Sequence, residues 1–385
     1  MIEAFGPFPY ATNLGENELI KVLQVVTLIG KNGQYGGPVT VSREISSAFE
    51  SFGQFKFSTI AGTLESSNHM SNSEQLIRIR KYIPYKSVSS LFSIEYAQTF
   101  LRQIKETDIV HLHFARDLMQ IFSGYVAIFL RKPYILQTHG MIRKKDNFLV
   151  TIFDFVFIKP ILKRAKCILV LTATEQSELE KIYKNTRFAI LRNGVKFNLI
   201  KKTKMNKIYK IIFCARLHKT KGLDIFIEIA KLMEGNNKVF FEVYGPDGGE
   251  LANLIENISD QKNIVYKGAL NSNEVAEVLS KSDLLIMPSY YDPYPMVVLE
   301  ALSIGLPVLI SKNCGQARII SQINEDYVVE GISAQIYLER IIKLYKEDFH
   351  RSQREKIMNS ARIYFDSEIV YKELKTIYMD VQNAR

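Results

Sequence analysis

The sequence predicts an α/β protein made of two doubly wound domains. Short, continuous apolar runs alternate with amphipathic stretches over nearly the whole chain, a pattern typical of parallel sheets covered by helices on both faces. A length of 385 residues is too great for one ordinary core, since a domain holds roughly 150 residues. The alternation breaks once, at the lysine-rich residues 201–210, and then resumes. Together these observations predict two parallel-sheet domains.

Nine apolar runs have the length and composition of strands. They are Val22–Ile29, Ile109–Leu112, Tyr134–Gln137, Cys167–Leu171, Lys210–Cys214, Val239–Val243, Ile264–Tyr266, Leu284–Met287 and Val308–Ile310. Apolar residues spaced i, i+3, i+4 predict helices between them, for example over Leu223–Met233 and Asn273–Leu279. Three further helical patterns close the chain, over Ser333–Glu347, Arg351–Tyr364 and Ser367–Val381.

The break predicts the domain boundary, which we place near residues 197–208. The expected domains are residues 1–200 and 201–365, followed by a C-terminal helix over 366–385 that packs back towards the first domain. Doubly wound sheets bind ligands at the carboxyl ends of their strands. We therefore expect the ligand site in a central cleft that the two domains face.

Composition excludes several classes of protein. Hydrophobic residues make up 47% and charged residues 23% of the chain, which is typical of soluble globular proteins and not of disordered or fibrous ones. The longest apolar stretches, Met119–Leu130 and Phe148–Ile158, are shorter than the ~20 residues of a membrane span. Three cysteines without CxxC spacing predict neither disulfides nor a cysteine metal site, so we expect a reducing cytoplasm.

The net charge of +10 is unevenly distributed. Residues 1–196 hold 25 lysines and arginines against 16 aspartates and glutamates, whereas residues 197–385 hold 25 against 24. A basic half predicts an anionic partner: nucleic acid, an acidic membrane surface or a phosphorylated substrate. A solvated basic face that serves solubility is the alternative.

The first predicted strand leads into a glycine-rich loop, Gly30–Pro38, which precedes a helix expected over Val39–Ala48. Glycines such as Gly36 and Gly37 let the backbone approach a ligand and direct amides towards an anion. The spacing is neither GxGxxG nor a Walker motif, which weakens a dinucleotide or P-loop interpretation. A plain tight turn explains the loop equally well.

Two cations follow the first strand of the second half. Arg216 leaves that strand and Lys221 precedes the next helix, so both flank one strand-to-helix loop. An arginine fork and a lysine point charge together neutralise a diphosphate. Surface cations on loops are common, so the pair alone decides nothing.

The strongest feature is the segment 290–302. Pro295 and Gly305 predict the start and end of a helix. Asp292 then lies in the loop before it, and Glu300 lies inside it among apolar neighbours. A carboxylate in such surroundings is costly unless it has a partner; a half-exposed helix glutamate is the alternative.

These residues resemble a known family. Gly36-Gly37, His139, Arg216 with Lys221-Gly222, and Asp292-x7-Glu300 occur in the order found in the GT-B glycosyltransferases of family 4, from about residue 21 onwards. These are retaining enzymes with nucleotide-sugar donors. The resemblance implies two Rossmann-like domains, an acceptor-side domain over 1–200 and a nucleotide-sugar-binding domain over 201–365.

The resemblance also implies site residues. As donor-binding residues it implies Gly36, Gly37, Arg216, Lys221, Asp292, Met296, Val297 and Glu300, and as catalytic residues His139, Arg216, Lys221 and Asp292. Glu300 would bind the ribose, and Arg216 and Lys221 the diphosphate, aided by amides at the helix start. Asp292 and His139 would contact the donor sugar. Asp292 stands where many members carry glutamate, which leaves the identity of the donor sugar open.

The implied reaction needs no metal or cofactor. A sugar would pass from a UDP- or GDP-sugar to a saccharide or lipid-diphosphate-linked acceptor with retained configuration, in bacterial surface polysaccharide (O-antigen or capsule) assembly. Front-face substitution is implied, because no carboxylate is placed as a nucleophile. His111 and His113 alternate on one strand face and suggest a metal, but no third ligand is evident. We interpret them as cleft-lining or structural.

Three alternatives remain open from sequence. A sugar-nucleotide epimerase and a phosphorylase share the two-domain layout, although no lysine for pyridoxal phosphate can be located. A basic nucleic-acid-binding protein fits the pI of about 9.2, but no RNA or DNA motif supports it.

The basic half also predicts where the protein works. Arg78–Lys81 with nearby Tyr82, Ile83 and Tyr85 is one basic patch, and Arg143–Lys145 precedes the apolar Phe148–Ile158. Basic residues that flank an apolar segment favour an anionic membrane surface. We expect a cytoplasmic protein, peripheral on the inner face of the membrane through its first domain. A buried core helix over Phe148–Leu162 is the alternative.

Overall fold

The structure, a computed structural model, describes residues 19–30, 36–64, 74–81, 88–143, 147–184, 186–197, 208–346 and 351–384. The chain forms two compact units. The N-terminal unit comprises the described residues up to 29, 41–192 and 370–384; the C-terminal unit comprises those in 30–40 and 193–369. The units divide between Arg192 and Asn193, a few residues before the lysine-rich stretch, most of which lies outside the described residues.

The N-terminal unit is built on a seven-stranded parallel sheet in the order β3-β2-β1-β6-β7-β8-β9. Its strands are β1 Ile20–Leu28, β2 Phe55–Thr63, β3 Glu74–Arg78, β6 Ile109–His113, β7 Tyr134–Gln137, β8 Cys167–Val170 and β9 Phe188–Ile190. A short antiparallel pair, β4 Arg80–Lys81 and β5 Leu91–Phe92, lies outside this sheet. The helices are α1 Gly36–Glu50, whose residues up to 40 are grouped with the C-terminal unit, α2 Ile94–Gln103, α3 Leu118–Phe129, α4 Phe148–Phe153, α5 Lys159–Arg164 and α6 Ala173–Ile182.

The C-terminal unit is built on a six-stranded parallel sheet in the order β12-β11-β10-β13-β14-β15. Its strands are β10 Tyr209–Cys214, β11 Val239–Tyr244, β12 Ile264–Tyr266, β13 Leu284–Met287, β14 Val308–Ser311 and β15 Val328–Val329. The helices are α7 Leu223–Leu232, α8 Leu251–Ile258, α9 Ser272–Ser280, α10 Met296–Ser303, α11 Ala317–Ile323, α12 Ala334–Lys346, α13 Arg351–Phe365 and α14 Ser367–Asn383, whose last part returns to the N-terminal unit.

The predicted fold class is confirmed: all nine predicted apolar runs are strands of the two parallel sheets. Their residues are almost all buried, as expected for sheets covered on both faces. Four strands of these sheets were not predicted: β2, β3, β9 and β15. The nine residues of β2, Phe-Lys-Phe-Ser-Thr-Ile-Ala-Gly-Thr, mix polar and small residues among the apolar ones, so they lack a continuous apolar run.

The segment after β7 shows features of both interpretations of Phe148–Leu162, a membrane-facing segment and a buried core helix. Ile158, Ile161 and Leu162 are fully buried, as in a core helix, whereas Phe148, Leu149 and Phe155 are exposed. The chain from Asp154 to Ile158 is a π-helical turn between α4 and α5. The basic Arg78–Lys81 is described, but Tyr82, Ile83 and Tyr85 lie outside the described residues. Within the described ranges, no helix combines the length and apolar character needed to cross a bilayer.

Candidate active site

Three predicted site residues of the C-terminal unit, Arg216, Lys221 and Asp292, lie where the strand order of its sheet reverses. β10 pairs with β11 on one side and β13 on the other, so successive helices leave the sheet in opposite directions there. Such a switch point opens a crevice at the carboxyl ends of the strands. The loop after β10 carries Arg216 and Lys221, and the loop after β13 carries Asp292.

Close backbone packing brings these two loops together. Gly222 has a φ of +72°, and a Cβ there would lie 2.0 Å from the carbonyl oxygen of Pro288. Only glycine fits this position. The amide of Tyr291 also donates to the carbonyl of Thr220 at 3.2 Å. The glycine of the Lys221-Gly222 pair thus fixes the lysine beside the Asp292 loop.

Lys221 and Asp292 form a buried ion pair. The Nζ of Lys221 lies 2.6 Å from Oδ2 of Asp292, with side chains 17% and 7% exposed. Asp292 Oδ1 also accepts from the amide of Tyr294 at 3.3 Å, and the Asp292 carbonyl accepts from the amide of Gly315 at 2.9 Å. The loops after β10 and β13 therefore hold the carboxylate in one orientation, and the loop after β14 holds the backbone of Asp292.

Burial raises the pKa of Asp292, and the charges of Lys221 and Arg216 oppose that rise. Arg216 is exposed and is close enough for its charge to act on the carboxylate. The site thus combines two cations with one buried acid. Such an excess of positive charge is suited to a diphosphate.

Glu300 lies in the middle of α10, with Pro295 as the N-cap residue. The predicted helix start at Pro295 and the position of Glu300 inside the helix are confirmed. Glu300 is half-buried. The pKa of the Cys214 thiol is raised to about 12, first by burial of the thiol and then by the charge of Glu300. Glu300 therefore lies near the end of β10. Met296 and Val297 open α10, where backbone amides have no partner within the helix.

Gly36 and Gly37 lie in the first turn of α1, not before the helix as predicted. The helix begins at Gly36, three residues before the predicted Val39, because Pro38 is tolerated in a first helical turn. A Cβ built on Gly37 would meet nothing within 4 Å. The space beside this helix start is open within the described structure. Residues 31–35 of the glycine-rich loop lie outside the described residues.

Three histidines of the N-terminal unit stack face to face. His111 and His113 lie on β6, with ring centroids 4.6 Å apart, and His139 follows β7, with its ring 5.1 Å from that of His113. The predicted common face of His111 and His113 is thus confirmed, and all three side chains are buried. His111 Nδ1 lies 2.7 Å from the hydroxyl of Tyr378 on α14.

Hydrogen bonds define the tautomers of this stack. Gln24 Nε2 donates to the carbonyl of Ser42 at 3.0 Å and to Ser46 Oγ at 2.8 Å, so its Oε1 accepts from His113 Nε2 at 2.9 Å. His113 Nδ1 then accepts from His139 Nε2 at 2.8 Å. In neutral His139, the other nitrogen, Nδ1, is consequently a hydrogen-bond acceptor.

The histidines are kept neutral. Burial lowers the pKa of His111 and of His139 to about 3. Burial, followed by the charges of the other two histidines, holds the pKa of His113 well below its ordinary value. Within the described residues, no three histidine, cysteine or acidic side chains are grouped as metal ligands.

Glu175 holds the loop that carries His139. His139 has a φ of +49°, a left-handed conformation that is uncommon for a residue with a side chain and collects at functional sites. Glu175 Oε1 accepts from Thr138 Oγ1 at 2.5 Å and from the amide of Gly140 at 2.8 Å. Its Oε2 accepts from the amide of Leu171 at 2.8 Å.

Sequence reasoning missed Glu175, Gln24 and Tyr378. Thr172-x-x-Glu175 has the spacing of a capping box, and the Thr172 side chain does accept from the Glu175 amide at 3.1 Å. Gln24 is a polar residue inside an apolar strand. Both signals were available from sequence, whereas nothing local connects Tyr378 to His111. Of the predicted site residues, the structure brings Lys221 and Asp292 into contact, with Arg216 nearby.

Two family models match consecutive parts of the chain. The model for glycosyltransferase family 4 matches residues 35–199, and the model for glycosyl transferases group 1 matches residues 195–363. The chain belongs to these glycosyltransferases. The predicted family is therefore confirmed, and the site at the switch point belongs to the part matched by the group 1 model.

Curated relatives of this glycosyltransferase are distant. An uncharacterized 41.2 kDa protein in the cps region of Klebsiella pneumoniae is 24% identical over 61% of this chain and 69% of that protein. The lipopolysaccharide glucosyltransferase WaaG of Escherichia coli is 30% identical, but the match spans 39% of this chain and 40% of WaaG. An N-acetyl-alpha-D-glucosaminyl L-malate synthase of Bacillus anthracis matches over 45% of its length.

Solved structures show the same fold over nearly the whole glycosyltransferase chain. A sucrose-phosphate synthase of Thermosynechococcus elongatus has a TM-score of 0.72 at 14% identity, covering 95% of this chain and all of that one. Anabaena HepE, solved with UDP and glucose, has a TM-score of 0.71 at 14% identity, covering 94% and 99%. At these identities the likeness shows the fold alone.

Proposed function

We propose that this glycosyltransferase moves a sugar from a nucleotide-sugar donor to a saccharide or lipid-diphosphate-linked saccharide, with retention of the anomeric configuration. The observation that carries the proposal is the Lys221–Asp292 pair beside Arg216, at the carboxyl ends of β10 and β13. A diphosphate leaving group needs stabilising cations at this point, and a sugar needs a fixed carboxylate.

The proposed roles follow from charge and position. Arg216 and Lys221 bind the diphosphate, with the amides of Met296 and Val297 at the start of α10. Glu300, in the same helix, binds the ribose hydroxyls. Asp292 accepts hydrogen bonds from the donor sugar.

In this proposal Gly36, Gly37 and His139 also take part in donor binding. The open space beside Gly37 admits the phosphates or the sugar. His139, neutral and with Nδ1 as its acceptor, receives a hydrogen bond from a donor-sugar hydroxyl near the reacting carbon.

The protein lowers the activation free energy mainly by stabilising the charge that develops on the leaving diphosphate. The sugar passes through an oxocarbenium-like state, and the diphosphate takes the proton of the acceptor hydroxyl on the same face of the ring. Cations and helix amides supply the stabilisation in this scheme, and no metal is required.

Relatives support a role in bacterial surface polysaccharide assembly, which we propose to take place at the inner face of the membrane. Besides WaaG and the cps-region protein, a UDP-Gal:alpha-D-GlcNAc-diphosphoundecaprenol alpha-1,3-galactosyltransferase of Escherichia coli is 25% identical over 43% of this chain. UDP-sugars are therefore the first donors to test, followed by GDP-sugars.

The test is a donor screen followed by stereochemistry. Purified protein is incubated with UDP-, GDP- and ADP-sugars in EDTA, with and without acceptor saccharides, and thermal shift and hydrolysis select the donor. NMR of the product should show the donor's configuration at the new linkage. Inversion would refute retention, and an epimerised donor formed without acceptor would instead establish a sugar-nucleotide epimerase.

A further inference from the structure

The helical segment after β7 exposes a stripe of large apolar side chains. The stripe consists of Phe148, Leu149, Ile152, Phe155 and Val156, and Phe157 beside it is also exposed. Phe148 is 77%, Leu149 73% and Phe155 65% exposed. Contiguous exposed apolar surface on a soluble protein marks an interaction site. Single exposed apolar residues need no explanation, but a stripe of five does.

Helical spacing places these residues on one face. Their positions are i, i+1, i+4, i+7 and i+8, which is the spacing of an amphipathic helix. Here the apolar face is turned outwards. The segment therefore does not contribute this face to the core of the N-terminal unit.

The outward orientation is fixed by the opposite face. Asp154 receives two hydrogen bonds of 2.7 Å from the guanidinium of Arg116, and both side chains are mostly buried. Ile158 on the same side is fully buried. Rotating the stripe inwards would break a paired, bidentate ion contact and expose a core residue, which is strongly unfavourable.

A neighbouring helix extends the apolar surface. The hydroxyl of Tyr125 on α3 donates to the carbonyl of Val156 at 3.2 Å, which joins α3 to the π-helical turn. Phe129 lies one turn further along α3, on the side of Tyr125, and is 85% exposed. We call the stripe together with Phe129 the aromatic face.

The segment around the aromatic face is basic. Residues 143–166 contain seven lysines and arginines and two aspartates, and one of these aspartates, Asp154, is already paired with Arg116. Lys163, Arg164 and Lys166 are exposed. The ammonium of Lys159 lies 4.5 Å from the ring centroid of Phe155, so positive charge reaches the edge of the apolar stripe.

We propose that the aromatic face is inserted into the headgroup region of an anionic bilayer, with the α4–α5 segment lying parallel to the membrane plane. Phenylalanines then contact acyl chains while Lys163, Arg164 and Lys166 contact lipid phosphates, the arrangement of interfacial amphipathic helices. A second copy of the chain fits less well, since a two-fold contact would set this basic segment against itself. The surface is independent of the transfer chemistry.

The absence of tryptophan from the chain makes insertion directly measurable. Phe148→Trp and Phe155→Trp each place a single tryptophan in the aromatic face, and Ile363→Trp places one at a 66% exposed position of α13 as the matched control. Vesicles of phosphatidylglycerol and phosphatidylethanolamine should shift the emission of the two aromatic-face variants to the blue. They should leave Ile363→Trp unchanged.

Co-sedimentation with the same vesicles measures affinity. Phe148→Ser with Phe155→Ser should lower the partition coefficient roughly 100-fold, because two exposed phenylalanines no longer insert. Lys163→Glu with Lys166→Glu should lower it at least about tenfold. Transfer to a short water-soluble acceptor should be unchanged in both double variants, so loss of activity and loss of binding are distinguished.

The proposal is overturned if wild-type protein ignores anionic vesicles, or if the serine variant binds as tightly as wild type. Dimers that disappear in the serine variant, without vesicle binding, would assign the face to a second copy and also overturn it.

Discussion

The two units hold their predicted site residues in opposite electrostatic states. In the N-terminal unit, His139 is one of three stacked, buried and neutral imidazoles whose protons are fixed by hydrogen bonds. In the C-terminal unit, Lys221 and Asp292 are charged partners. The histidine stack presents a fixed dipole to a ligand. The ion pair instead contains charges for which an anionic ligand must compete.

This difference indicates how the proposed reaction divides the work. A neutral, preorganised group positions a sugar without competing for anions, and it costs no reorganisation during the reaction. The ion pair opposes the rise that burial causes in the pKa of Asp292, and it is broken or shared when a diphosphate reaches Lys221. Binding of the donor is therefore expected to weaken the contact between Lys221 and Asp292.

The largest expected effect comes from removing the charges. Lys221→Ala and Arg216→Ala should each lower kcat on the order of 100-fold, because each stabilises the leaving diphosphate. Lys219→Ala is the matched control, an exposed lysine of the same loop, and should retain activity. Steady-state kinetics with the selected donor measures all three.

Lys221→Ala also leaves a buried carboxylate without its partner, which typically destabilises a protein by about 3–5 kcal/mol. Adding Asp292→Asn should restore much of the thermal stability and none of the activity. Normal turnover in both single cation variants would contradict the proposed role of charge in the C-terminal unit.

A smaller effect is expected from Glu175, which positions the His139 loop. Glu175→Gln keeps one acceptor but sets an amide NH₂ against a backbone N–H or the Thr138 hydroxyl, at a cost of about 1–3 kcal/mol. Unfolding free energy should fall accordingly, and kcat should fall more than donor KM rises.

Glu180→Gln, an exposed glutamate of the same helix, is the control. If Glu175→Gln lost stability but kept full kcat, Glu175 would be structural only, and a fixed orientation of His139 would not matter for transfer.

The smallest effect is the response to pH, and its sign differs between the two units. The folded pKa values of His111 and His139 lie near 3, below their unfolded values near 6.5. Their contribution to stability is therefore complete above pH 6.5 and is lost as the pH falls, by about 1.4 kcal/mol per pH unit for each histidine. Burial raises the pKa of Asp117 to about 7. Its contribution to the pH dependence of stability therefore has the opposite sign and offsets that of one of the three stacked histidines.

Asp292 has the opposite sign, since a raised carboxyl pKa makes the folded state bind a proton more readily. Hydrogen exchange at pH 7.0 and 5.5, corrected for intrinsic rates, should show protection lost in β6 and β7 before β10 and β13. Equal loss in both units would contradict the assignment of neutral, buried histidines.

Local patterns predicted the sheets and the loops of the site, because a strand end, a glycine and a following helix are adjacent in sequence. Partners across the sheet were not predictable in this way. Lys221 and Asp292 are 71 residues apart, and His111 and Tyr378 are 267 apart. The order of strands in the sheet determines which strand-end loops are in contact. That order is set by packing of the whole unit.

The orientation of the α4–α5 segment also could not be predicted from the local sequence pattern. An apolar stripe has the same spacing whether it faces a core or a bilayer. The Arg116–Asp154 contact, across 38 residues, and the burial of Ile158 determine which face is turned outwards.

The return of α14 to the N-terminal unit has a consequence for synthesis of the chain. Tyr378 packs against Phe49, Phe55 and Phe57 and bonds to His111, so the first unit lacks part of its core until α14 is made. At ribosomal rates of about 5–20 residues per second, the 193 residues from Asn193 onwards take roughly 10–40 s. The half of the protein that is made first is thus the last to be completed, and a nascent chain released early contains no finished N-terminal unit.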